Sequence, residues 1–88
     1  MRVKLFADLA EAAGSGELDV EVPDGAPVTD ALDALFETYP ALADRVLEDG
    51  ELREHVNVLK NGDPVADPDE ASVEAGDELA LFPPVSGG

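Results

Sequence analysis

Cysteine and tryptophan are missing from this chain, and histidine occurs once, as His55. Without a thiol there is no disulfide framework, no cysteine-bound zinc, no thiol nucleophile and no internal persulfide. A single imidazole offers neither a His pair for a metal nor a Ser-His-Asp arrangement. No metal site is expected, and catalysis by internal side chains is not supported. If the protein takes part in a reaction, it enters as substrate or carrier. Cations are scarce as well: five Lys+Arg stand against 21 Asp+Glu, a formal net charge of −16. The Lys and Arg stripes that neutralise phosphates are absent, so nucleic acid is not an expected partner. No apolar run approaches the ~18 residues that cross a bilayer, and no signal-peptide pattern opens the chain. The expectation is a cytoplasmic protein that does not use a membrane.

At 88 residues the chain holds one domain, and a domain of this size buries only about 60 to 65% of its unfolded surface. Yet 44% of the residues are hydrophobic, which separates the chain from a disordered acidic tail. Its carboxylates punctuate regular apolar patterns, as in Leu18-Asp19-Val20-Glu21-Val22, where every second residue is apolar. Such a surface repels itself at low ionic strength, whereas in ~1 M salt the Debye length falls to about 3 Å. Two compatible readings follow. The acidity adapts the protein to a high-salt cytoplasm, or it forms a docking face for a basic partner.

Arg2 to Phe6 alternates around Val3 and Leu5 and predicts a first strand. Asp8 reads as an acidic cap with Glu11 three residues later, and Gly14 as a stop, giving a helical turn. Glu17 to Val22 predicts a second strand that returns antiparallel, ended by the turn Pro23-Asp24-Gly25. Val28, Ala31, Leu32, Leu35, Phe36 and Tyr39 share one face at helical period. Thr29 is a candidate cap, Pro27 argues for a slightly earlier start, and Pro40 closes this helix. A short second helix is expected over Ala41 to Leu47, stopped by Asp49-Gly50. His55 to Lys60 predicts a third strand with Val56 and Val58 on one face. Asn61-Gly62 signals a tight turn into a short strand at Pro64 to Ala66. Asp67 to Asp77 reads as a solvated acidic loop; no Gly stands at the sixth position that a calcium-binding EF-hand requires. The last strand covers Glu78 to Phe82, with Leu79 and Leu81 facing the core. Two strands, one main helix, then three strands predict an α+β domain: a mixed sheet of four to five strands, with its first and last strands able to pair in parallel. That is a β-grasp, ubiquitin-like architecture over residues 1–82, followed by an extended tail over residues 83–88.

The tail reads Pro83-Pro84-Val85-Ser86-Gly87-Gly88. Prolines cannot continue a ladder and favour polyproline geometry, carrying the chain away from the sheet. Two glycines remove both Cβ atoms, so the backbone fits a narrow channel in another enzyme. Chance alone supplies a final Gly-Gly in about one protein in two hundred at ~7% Gly. The longer string is more specific. Gly76-Asp77-Glu78-Leu79-Ala80-Leu81-Phe82 with the tail resembles the end of the MoaD/ThiS family, the MoaD branch of which is the small subunit of molybdopterin synthase. Lys4-Leu5-Phe6-Ala7-Asp8-Leu9-Ala10, Ala31-Leu32-Asp33-Ala34-Leu35 and Tyr39-Pro40-Ala41-Leu42 also fit, so the resemblance spans essentially the whole chain. It is greatest to the small archaeal modifier branch of halophilic archaea. Pro27 departs from the family's usual Thr cap.

The resemblance implies that an E1-like enzyme, consuming ATP, adenylates the Gly88 carboxylate. Sulfur then replaces AMP, and the thiocarboxylate serves molybdopterin synthesis with a MoaE-like large subunit. In the modifier branch the terminus is joined to lysines of target proteins. No cofactor is bound, and the free protein is expected to be a monomer. Gly87 and Ser86 would fit the channel. Phe82, which matches the family's aromatic position before the two prolines, would dock on a partner with Pro83, Pro84, Val85 and Phe6. Phe82 is expected as an exposed anchor, whereas Phe6 is as readily a core residue. Lys4 and Lys60 are the two side-chain amines able to accept another modifier. His55 reads as a strand-edge or surface residue. The competing class is a plain acidic interaction module with an incidental Gly-Gly end.

Overall fold

Alternating burial at Val3 and Leu5 sets the face of the first strand, and the rest of the architecture follows from which side chains share that face. The computed structural model describes residues 1–53 and 56–83. In chain order the elements are β1 (Arg2–Leu5), α1 (Asp8–Ala13), β2 (Glu17–Asp19), β3 (Ala26–Pro27), α2 (Val28–Thr38) and α3 (Pro40–Val46). There follow β4 (Leu47–Glu48), β5 (Glu51–Leu52), β6 (Asn57–Lys60), β7 (Asp63–Pro64), β8 (Ser72–Val73) and β9 (Glu78–Phe82). The main sheet has five strands in the order β2-β1-β9-β6-β7. β1 lies antiparallel to β2 and parallel to β9, while β9 runs antiparallel to β6. This mixed sheet with its principal helix is the expected β-grasp.

Helix α2 buries Val28, Ala31, Leu32, Leu35 and Phe36, the stripe its period predicts. They join Val3, Leu5, Leu18, Val58, Leu79 and Leu81 from the sheet in one core, which contains no buried polar side chain among the described residues. Pro27, extended at φ −61° and ψ 151°, occupies the cap position of α2, so Thr29 lies inside the helix. The missing N–H of Pro27 costs nothing there. Pro40 both ends α2 and opens α3, which therefore begins one residue before the expected Ala41 and ends at Val46. Among the described residues no helix is long and apolar enough to cross a membrane.

Several expectations need correction. The first strand stops at Leu5, because Ala7 takes φ 54° and ψ −132° and turns the chain into α1. Ala7, not Asp8, is the cap residue of α1, and it supplies no side-chain hydrogen bond. Gly14 ends that helix in the left-handed region, as its sequence position predicts. β2 ends at Asp19, although the Val20 N–H still donates to the Met1 carbonyl. β6 begins at Asn57, and β7 covers Asp63–Pro64 rather than Pro64 to Ala66. Asp49-Gly50 is more than a helix stop. With φ values of 54° and 82° it forms the two-residue turn of the β4–β5 hairpin. Nor is the stretch from Asp67 to Asp77 wholly a solvated loop. Ser72–Val73 pairs with β3, and Val73 is fully buried. His55 and residues 84–88 lie outside the described residues.

Candidate functional site

The parallel β1–β9 pair builds the site from its register. Val3 pairs with Leu79 and Leu5 with Leu81, all four facing the core. One step beyond the Leu5–Leu81 pair, the period-2 alternation turns Phe6 and Phe82 to the opposite face. Their rings stack there, with centroids 4.3 Å apart and planes inclined by 6°. Phe6 is 38% exposed, the one large hydrophobic residue in the exposed class among those described. Phe82 is half-buried, because the Phe6 ring covers it. Each ring shields the other from water, so Phe6 is not a core residue and Phe82 is a covered anchor rather than a fully exposed one.

Sequence reasoning missed a neighbour on this face. Leu59 lies opposite Ala80 on β9, two residues from Phe82, and neither Leu59 nor Ala80 packs against the core. The outer face thus carries Phe6, Phe82, Ala80 and Leu59 in continuity. The signal for Leu59 was present: it alternates with Val58, which shares one face of the predicted strand with Val56, so Leu59 falls on the other face. Lys4 stands on the same outer face, its Nζ 3.6 Å from the Glu78 carboxylate. Lys60 is on the other side of the sheet, where its Nζ donates to the Ser72 carbonyl at 3.0 Å. Pro83, half-buried, continues from β9; Pro84, Val85, Ser86, Gly87 and Gly88 lie outside the described residues.

The Gly76-Asp77-Glu78 string has a structural task beside this site. Asn61 Nδ2 donates to Asp77 Oδ1 at 2.9 Å, and the Glu74 N–H donates to Asp77 Oδ2 at 2.8 Å. Asn61 Oδ1 accepts from the Glu78 N–H at 3.0 Å, and the Asn61 N–H donates to the Glu78 carbonyl at 2.8 Å. The Asn61 amide first, and the Glu74 N–H second, hold the Asp77 carboxyl below its ordinary value of 3.8. This clasp ties the β6–β7 turn, where Asn61 and Gly62 have φ of 51° and 86°, to the start of β9. It thereby fixes the register that sets Leu59 beside Ala80 and Phe82. No group of three or more His, Cys, Asp or Glu residues able to hold a metal ion occurs among the described residues.

The ThiS family model matches residues 3–88. The chain belongs to the ThiS family. Among its relatives, small archaeal modifier protein 1 of Haloferax volcanii is 61% identical over 89 residues, with each chain covered in full. A molybdopterin synthase sulfur carrier subunit of Chlamydomonas reinhardtii is 35% identical over 88 residues, covering 100% of this chain and 98% of the relative. A crystal structure of the small archaeal modifier protein 1 from Haloferax volcanii superposes with a TM-score of 0.91 at 58% identity, covering 100% of this chain and 98% of that one. These relatives are a modifier protein and a sulfur carrier subunit. The family assignment agrees with the resemblance read from the sequence, and the ubiquitin-like fold of this ThiS-family chain agrees with it too.

Proposed function

We propose that this ThiS-family chain is a ubiquitin-like carrier and modifier whose reactive group is the main-chain carboxylate of Gly88. The observation that carries the reading is the family match through residue 88, which takes in Gly87 and Gly88. An E1-like enzyme brings ATP to this carboxylate. A carboxylate oxygen attacks the α-phosphorus, pyrophosphate leaves, and the Gly88 carbonyl becomes a reactive acyl adenylate. A hydrosulfide equivalent delivered by the same enzyme system attacks the acyl carbon, AMP leaves with the electron pair of the broken C–O bond, and loss of the sulfur-borne proton leaves a thiocarboxylate. The relatives favour two outlets for the activated end: sulfur delivery to a molybdopterin precursor beside a MoaE-like subunit, and an isopeptide bond to a lysine of another protein. The ATP that this activation consumes supports a cytoplasmic setting for the work.

The division of labour is a folded domain, residues 1–82, and a tail, residues 83–88. Six residues follow Phe82, ending at Gly88, so the carboxylate reaches up to about 20 Å from the stacked rings at ~3.3–3.6 Å per residue. The Phe6–Phe82 pair is the anchor that a partner reads, with Pro83, Pro84 and Val85 continuing the contact. Gly87 and Ser86 pass the channel without a large Cβ substituent. Lys4 and Lys60 are candidate acceptors, and the ion pair of Lys4 with Glu78 makes its amine the less available when a partner covers that face.

Deleting Gly88 tests the proposal. The truncated chain is expected to fold, to lose sulfur loading and to form no conjugates on target lysines. Retained molybdenum-enzyme activity together with retained conjugates would leave the acidic interaction module as the better account.

A further inference from the structure

A groove of about 240 Å³ lies on the helical side of the sheet, away from the face that carries Phe6 and Phe82. α2 forms one wall with Thr29, Leu32, Asp33 and Phe36, spaced as one line along a helix. The β4–β5 hairpin forms another, with Leu47, Gly50, Glu51 and Leu52, and Pro68-Asp69 closes an end. The leucines, Phe36 and Pro68 make an apolar floor. Asp33, Glu51 and Asp69 are exposed at the rim, no Lys or Arg lines the groove, and these three carboxylates take part in none of the ion pairs among the described residues.

We propose that this groove docks a short segment of a partner protein that pairs bulky apolar side chains with Lys or Arg. The space falls below the roughly 300–1,000 Å³ of small-molecule and cofactor sites, and suits one or two side chains. A long cationic side chain satisfies both halves of the lining: its methylenes lie on the floor and its charge stays wet at the acidic rim. The chain's own tail does not qualify, since residues 84–88 hold no cation. A second copy does not qualify either, because its five cations are already engaged within their own chain: Arg2 with Glu17, Lys4 with Glu78, Arg45 with Asp8, Arg53 with the Asp44 carbonyl and Lys60 with the Ser72 carbonyl. A basic partner is complementary. Molar salt weakens the long-range attraction but leaves the apolar floor, so the apolar contact supplies the affinity there and the rim supplies the discrimination. The inference extends the carrier reading: with one face for activation and another for a basic partner, both can be occupied together.

The probe is the peptide acetyl-Lys-Leu-Lys-Leu-amide, titrated into the full chain in 2 M KCl while backbone amide shifts are followed. Saturable shifts confined to Leu32, Asp33, Phe36, Gly50, Glu51, Leu52 and Asp69 are expected, and the acidic analogue acetyl-Glu-Leu-Glu-Leu-amide is expected to produce none. The double variant Asp33→Lys, Glu51→Lys is expected to weaken binding at least tenfold. The charge-matched control Asp30→Lys, Glu37→Lys, which alters exposed residues of α2 outside the groove lining, is expected to stay within twofold. No saturable binding, shifts centred on Phe6 and Phe82, equal binding of the acidic peptide, or equal losses in the two double variants would each overturn the proposal. Removing Gly87 and Gly88 leaves this binding unchanged, so a failure of the carrier reading is read separately, by loss of sulfur loading.

Discussion

Replacing Phe82 with alanine separates docking from folding, because its neighbour Leu81 supplies an internal standard on the same strand. Leu81 is fully buried, and Leu81→Ala empties a core position at about 2–5 kcal/mol. Phe82 points to the other face, half-buried beneath Phe6. Its removal forfeits a stack worth about 0.5–1.5 kcal/mol and a share of apolar burial, but opens no internal cavity. The expected cost is about 1–2 kcal/mol. At roughly 4–8 °C per kcal/mol for a domain of this size, Tm falls by ~4–16 °C and the chain stays folded at 25 °C. A buried aromatic anchor at an interface is worth about 2 kcal/mol or more, close to thirtyfold in affinity. Pyrophosphate release by the activating enzyme, followed against carrier concentration, should therefore show half-saturation shifted by about thirtyfold. Phe6→Ala should do the same. The double variant should cost less stability than the two singles together, by about 0.5–1.5 kcal/mol, since either single already breaks the stack. An unchanged half-saturation, or a Phe82→Ala protein as unstable as Leu81→Ala, would refute the anchor.

Three further outcomes follow from the same geometry. The folded pKa of Asp77 lies below 3.8, so the clasp contributes fully above that pH and its contribution is lost as pH falls through the folded value. Asp77→Asn should therefore be less stable than the parent at pH 7, with the gap closing below pH ~4 in acid unfolding; a gap constant with pH would contradict the hydrogen-bonded carboxylate. Ala7, at φ 54° and ψ −132°, sits where glycine is favoured, so Ala7→Gly should raise Tm by several degrees through relief of about 1–3 kcal/mol of strain, partly offset by glycine's entropy. A fall in Tm would contradict the strained turn. With a net charge of −16 and four ion pairs among the described residues, thermal stability should rise as KCl is brought to molar levels. A flat response would count against the high-salt reading.

The long periodic elements were legible because burial imposes a repeat on them. α2 announced itself through Val28, Ala31, Leu32, Leu35 and Phe36, and β9 through Leu79 and Leu81. Two-residue strands carry no period. β8 was hidden because Val73 is a single buried residue among carboxylates, held through the Gly25 N–H on its carbonyl and its pairing with Ala26. The β4–β5 hairpin was available in principle, since Asp49-Gly50 is as strong a turn signal as Asn61-Gly62. Its flanks at Leu47–Glu48 and Glu51–Leu52 are too short to read as strands. The end of β1 was misjudged because nothing in the side chain of Ala7 announces a positive φ. At the site, the aromatic pair was within reach of sequence once parallel pairing was assumed, whereas Leu59 needed the β6–β9 register. The groove under Asp33 and Glu51 was out of reach, since it joins two elements whose proximity only the fold provides.

The most direct test is the intact mass of the protein isolated from its native cell, with fragmentation assigning any change to a residue. A fraction of chains is expected to carry one oxygen replaced by sulfur, located on Gly88, and lysines of other proteins that carry residues 61–88, the remnant trypsin leaves by cutting after Lys60, mark the conjugated share. A terminus found only as the plain carboxylate, together with no residue 61–88 remnant on any lysine, would contradict the carrier.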